Sequence, residues 1–129
     1  MAQITQRQIT TTNHPLDLGA LTLLPGLIAT LLTGPGWIRL HLSAHVSNPG
    51  GAPLLASFSC LVDGVAIDAD DSVTKTHTIP ATSFAALSLE WFMRLGSGSH
   101  VFQITGLSSG AGMIIVANGA CMSLWDVGY

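Results

Sequence analysis

The stretch Trp37 to Ser47, WIRLHLSAHVS, constrains the chain most. Ile38, Leu40, Leu42, Ala44 and Val46 alternate with Arg39, His41, Ser43 and His45. Successive strand residues point to opposite faces, so this pattern predicts a strand with one face in a core and one face outside. Similar runs recur along the chain, separated by Gly, Pro, Asn and Asp. The expected architecture is all-β: one two-sheet sandwich of about eight antiparallel strands spanning residues 1–129.

The runs can be placed by their punctuation. Met1 to Thr12, rich in Thr and Gln, reads as an extended N-terminal arm or an edge strand. Leu27 to Leu32 is apolar throughout, as expected of a short strand covered on both faces. Gly34-Pro35-Gly36 then breaks the chain. Leu54 to Val62 follows, with Ala56, Phe58, Cys60 and Val62 inward. Asp63-Gly64 predicts a hairpin turn, because both central residues of that turn need positive φ. Val73 to Ile79 reads as an exposed strand. Phe84 to Leu95 has period two at Leu87, Leu89, Trp91, Met93 and Leu95, which favours strand over helix. Gly96 to Ser99 reads as a tight reversal from which His100 to Leu107 pairs back. Asn118-Gly119 predicts a second hairpin, between strands Met113 to Ala117 and Ala120 to Val127.

What is missing from the composition is charge. Charged residues are 9% of the chain, against roughly 25% in an ordinary soluble domain. Gly, Ser and Thr fill the surface positions, and such a surface is poorly protected against association. The four basic residues Arg7, Arg39, Lys75 and Arg94 are scattered. A nucleic-acid partner is therefore not expected, since displacing counterions from phosphates needs a basic patch. No charge lies between Asp17 and Arg39, a length that could span a bilayer. Pro25, Gly26, Gly34, Pro35 and Gly36 interrupt it, and no basic start precedes a compact apolar run. Two strands broken by turns fit better than a membrane or signal segment. Cys60 and Cys121 lie in apolar runs and are expected as two buried thiols, a bridge being the alternative.

The chemistry-bearing residues are sparse. His41 and His45 share one strand face, but their Cβ atoms would stand roughly 13 Å apart, too far for one metal within one chain. Copies of one histidine around a rotation axis could converge on an ion; a polar strand face is the ordinary reading. Asp68, Asp70 and Asp71 cluster in one turn near Asp63, without the Gly and bidentate Glu of a helix-loop-helix calcium motif. A solvated acidic turn is expected there, and no metal or cofactor. The signatures G-x-S-x-G, H-E-x-x-H and C-x-x-C are absent. Glu90 is expected to pair with Arg94 on the same strand face. No catalytic residue can be named, and an enzyme is not expected.

The aromatic residues raise a different possibility. Trp91 and Phe92 are adjacent, as are Leu124 and Trp125, so each pair points to both faces of its strand. Burying an aromatic side chain is worth roughly 1.5–3 kcal/mol. These four residues are the expected subunit interface.

Several segments together carry a family resemblance. A turn with Gly36 leads into the long alternating strand. A Gly-rich loop follows, then LVDGVAI, then GSGSHVFQI, and the chain ends in ACMSLWDVGY. This order, from Ile28 to Tyr129, resembles the small jelly-roll modules of tailed-bacteriophage virion proteins, which are similar to the trimeric heads of the tumour-necrosis-factor and complement type. The leucine-rich segment Thr10 to Leu32 has no counterpart in that pattern. The resemblance implies a jelly roll, a homotrimer packed through one sheet of each copy around a threefold axis, and no catalytic residues. It implies a virion structural role on the capsid surface, as a decoration protein contacting the major capsid protein or another virion protein. The alternative is a tail-fibre or baseplate knob that binds a receptor or glycan, for which Trp37 beside the Gly-Pro-Gly turn is the candidate contact. The arm Met1 to Thr12 could lie across a neighbouring protein by adding a strand.

Overall fold

A computed structural model of the chain describes residues 2–9, 14–16, 22–66 and 74–128. Ten strands account for its regular structure: β1 (Ala2–Ile9), β2 (His14–Pro15), β3 (Thr22–Thr33), β4 (Gly36–Asn48), β5 (Leu54–Val62), β6 (Val65–Ala66), β7 (Thr74–Ile79), β8 (Ser83–Leu95), β9 (Gly98–Ser108) and β10 (Ile114–Gly128). The first sheet, sheet A, has the order β1-β10-β4-β8, with β2 also on β10. Sheet B has the order β3-β9-β5-β6, with β7 also on β5. Every pairing is antiparallel. Among the eight longer strands the chain visits the sheets as A, B, A, B, B, A, B, A. Interleaving of this kind makes the sandwich a jelly roll.

Period-two patterning does most of the folding work. In β4, Ile38, Leu40, Leu42, Ala44 and Val46 are all buried. From sheet A they meet Leu87, Leu89, Trp91 and Met93 of β8 and Met122 and Leu124 of β10 in one core. Sheet B adds Leu24, Leu27 and Ala29 of β3, Ala56, Phe58, Cys60 and Val62 of β5, and Phe102 and Ile104 of β9. Asp63 and Gly64 take φ of 52° and 84°, the expected turn between β5 and β6. Asn48, almost fully buried, ties the far end. Its Nδ2 donates to Ala52 O at 2.9 Å and to the Ile79 and Pro80 carbonyls at 3.2 Å, while its Oδ1 accepts from Gly50 N.

Three expectations change. Asn118-Gly119 is no hairpin, because β10 runs through it from Ile114 to Gly128. Ile115 pairs with Val46 and Ala120 with Ala44, so residues 116–119 stand against His45 alone, as a bulge. The glycine serves close approach, for a Cβ on Gly119 would lie 2.7 Å from Val116 O and 3.1 Å from His45 Cβ. Leu27 to Leu32 is covered on one face only: Leu27 is 1% exposed and Leu32 79%. β3 is an edge strand, and that position tolerates Pro25, whose missing N–H need not break a ladder. His100 to Leu107 does not pair back on β8. At Gly96–Ser97 the chain crosses sheets, so β8 pairs with β4 while β9 pairs with β3 and β5. Of the two readings of the N-terminal segment, the edge strand holds for Ala2–Ile9, which pairs with β10 of its own chain. The aspartates 68, 70 and 71, with residues 1, 10–13, 17–21, 67, 69, 72, 73 and 129, lie outside the described residues.

Candidate functional site

The outer face of sheet A gathers most of the chemistry. Strand register stacks it in rows. Phe92 of β8, Arg39 of β4 and Trp125 of β10 are direct cross-strand neighbours. Glu90, His41 and Ser123 form the next row, and Ser88, Ser43 and Cys121 the one after. Trp37 faces Arg94 at one end of the sheet, and Phe84, 76% exposed, faces Ser47 near the other.

Arg39 is the centre of this face. Its Cζ lies 5.2 Å from the Trp125 ring centroid, a cation–π contact. Its Nε is 3.7 Å from Glu90 Oε1, within ion-pair range but too long for a hydrogen bond. That Nε is buried and has no hydrogen-bond partner. Exposed ion pairs of this kind contribute about 0–1 kcal/mol. The expected Glu90–Arg94 pair is replaced by Glu90–Arg39, because pairing of β8 with β4 puts Glu90 diagonally beside Arg39.

Of the four expected interface residues, two are unavailable. Trp91 and Leu124 are fully buried in the core of their own chain. Phe92 and Trp125, the other member of each pair, point outward, with Phe92 36% exposed and Trp125 partly covered. Period two divides each pair because one residue per pair must face in.

His41 Nε2 and Ser88 Oγ share a hydrogen bond of 2.7 Å. Sequence spacing could not show it, since the two residues are 47 apart and meet through strand register. The distance suits a base and a nucleophile. However, an oxyanion hole needs donors converging on one point, and β4, flanked by β10 and β8, commits its amides to ladders. A cross-strand polar contact is what this geometry supplies. His45, opposite Ala86, is exposed and does not join His41. Among the described residues no three His, Cys, Asp or Glu side chains are grouped to hold a metal ion.

Cys60 and Cys121 are not disulfide-bonded. Cys60 is in the core side of sheet B, and Cys121 is on the outer face of sheet A beside Ser43. A hollow of about 310 Å³ lies at the β3 edge, lined by Leu23, Leu24, Gly26, Leu27, Ile28 and Gln103. It offers one polar side chain and no charge. No helix among the described residues is long and apolar enough to cross a membrane.

No family model matches the chain, and no curated protein matches it. Among solved structures, the chain is similar to a carbohydrate-binding module, CBM6cm-2 from Cellvibrio mixtus lichenase 5A, in complex with cellotriose. The two are 18% identical, with a TM-score of 0.36, over 97% of this chain and 89% of that one. The jelly-roll assignment above rests on strand order within this chain.

Proposed function

We propose that the chain is a non-enzymatic structural module of a bacteriophage virion, acting as a homotrimer that decorates the capsid surface. The virion setting comes from the family resemblance of residues Ile28 to Tyr129. The observation that carries the assembly reading is the Phe92–Arg39–Trp125 row. It leaves a large apolar side chain partly in water and a buried guanidinium nitrogen without a hydrogen bond. Interfaces are enriched in aromatic residues and Arg, and a second copy would cover the Phe92 ring and the exposed part of the Arg39 side chain. In a capsid, many equivalent copies of such a contact, each burying apolar surface across neighbouring capsomers, would oppose expansion of the shell.

Light scattering on the purified chain tests this reading. The expected mass is three times the 13.4 kDa of one chain, and Phe92→Ser should reduce it to that of one chain. Purified particles should carry the protein in numbers comparable to the major capsid protein. A second reading, a glycan-binding knob, draws on the same row, since Trp125 and Trp37 lie on the same sheet face as the hydrogen-bonding groups of Arg39, Glu90 and His41. A glycan array that responds to wild type and not to Trp125→Ala would favour it.

A further inference from the structure

We propose that His100, Asp63 and the Gly96 carbonyl form a proton-dependent latch, holding the β5–β6 turn against the β8–β9 crossover at one end of the sandwich. His100 Nδ1 is 2.7 Å from Asp63 Oδ2, and His100 Nε2 is 2.9 Å from Gly96 O. A carboxylate and a carbonyl only accept hydrogen bonds, so both ring nitrogens must donate. Only the imidazolium can do that.

The surroundings aim the carboxylate. Asp63 sits at φ 52° in its turn. Its Oδ1 accepts from Val101 N at 2.8 Å, and its own N–H donates to Val101 O at 2.8 Å. Thr33 at the end of β3 donates to the same Gly96 carbonyl at 3.3 Å. Four segments of chain therefore meet at one protonated ring, beside the point where the backbone leaves sheet A for sheet B. Asp63 is the one charged side chain that meets the ring among the described residues. Leu31 of β3 is its ladder partner, and Phe102 of β9 stands edge-on at 6.5 Å. Neither titrates.

The hydrogen bond to Asp63 and the Gly96 carbonyl raise His100 above its ordinary 6.5, outweighing burial. The hydrogen bond from His100, then the Val101 amide, lower Asp63 below its ordinary 3.8. His100 thus stabilises the fold fully below pH 6.5, and that contribution is lost as pH rises through its raised value. Asp63 contributes above pH 3.8, and its share is lost as pH falls through its lowered value. The latch is closed between those two limits. Above the upper one, a single ring proton remains for two acceptors. It stays on the carboxylate, the stronger acceptor. The Nε2 lone pair then faces Gly96 O across 2.9 Å, and the crossover is held at that carbonyl only by the longer hydrogen bond from Thr33. The bond to Gly96 lies at the surface, so water takes part of the lost place and the effect is local to the crossover.

Nitrogen-15 NMR of the histidines in the full chain, followed against pH, tests the latch alongside amide-exchange protection at Gly98, which pairs with Thr33 where β9 begins. Wild-type His100 should carry protons on both nitrogens at pH 6.5, titrate above that value, and lose protection at Gly98 through the same range. Asp63→Asn keeps a residue that tolerates positive φ; it should bring the His100 midpoint down and the loss of protection with it. His77→Ala, on exposed β7, should change neither. A wild-type His100 that is neutral at pH 6, or protection that ignores its protonation, overturns the proposal. If Asp63→Asn does not fold, the wild-type titration decides alone.

Discussion

The two outer faces of this sandwich manage polar groups in different ways. On sheet B the hydroxyls satisfy one another: Ser57 pairs with Thr76 and Ser59 with Thr74, each at 2.8 Å, and Thr105 donates to Ser59 O. Sheet B's exposed leucines and isoleucine lie mainly along the edge strand β3, at Leu23, Ile28 and Leu32. On sheet A the polar groups stand among aromatic rings, and Arg39 Nε is left without a hydrogen bond. Hydroxyls paired within the sheet need no neighbour to satisfy them. A face with a partly wet phenyl ring beside a partly exposed arginine gains from one. On this difference the proposed assembly surface is sheet A rather than sheet B.

The largest expected effect separates adjacent residues on the two sides of β8. Trp91→Ala should lower unfolding free energy by roughly 3–5 kcal/mol, through lost burial and the cavity left behind. Phe92→Ser, one residue on, should change the stability of a single copy by less than about 1 kcal/mol and abolish the trimer. Urea unfolding and light scattering read both. Similar losses at the two positions would break the inside–outside division of the pair.

Gly119→Val comes next. Its Cβ would meet a backbone carbonyl that cannot easily retreat, so a loss of roughly 1–3 kcal/mol is expected. A neutral result would mean that the sheet A bulge is looser than described.

The sheet B hydroxyl pairs are expected to matter less. Ser59→Ala should cost about 0.5–1.5 kcal/mol and leave the mass in solution unchanged. Arg39→Met should sharpen the contrast from the other side. It removes a weak ion pair and a cation–π contact, together about 2 kcal/mol or less for one copy, yet it should weaken association measurably by sedimentation.

The inward set of β4 was legible because alternation is a local property, and so was the Asp63-Gly64 turn, where both residues do adopt positive φ. Asn118-Gly119 has the same dipeptide signature and a different cause, since its glycine relieves a close approach to Val116 and His45 rather than reversing the chain. The Gly96–Ser99 segment shows a second boundary. A short Gly-Ser break says that a strand ends; which sheet receives the next strand depends on the whole sandwich. Every side-chain contact that crosses strands fell on that side of the boundary. Arg39–Glu90, His41–Ser88 and His100–Asp63 join residues 37 to 51 positions apart. They follow from which strands pair and in what register, and no spacing rule along the chain contains that information.

If copies of this chain cover sheet A, light scattering on the purified protein, at micromolar concentration and neutral pH, should give the mass of three chains, and Phe92→Ser should give a folded species of one. A wild-type protein that holds the mass of one chain, 13.4 kDa, as its concentration is raised would overturn the trimer.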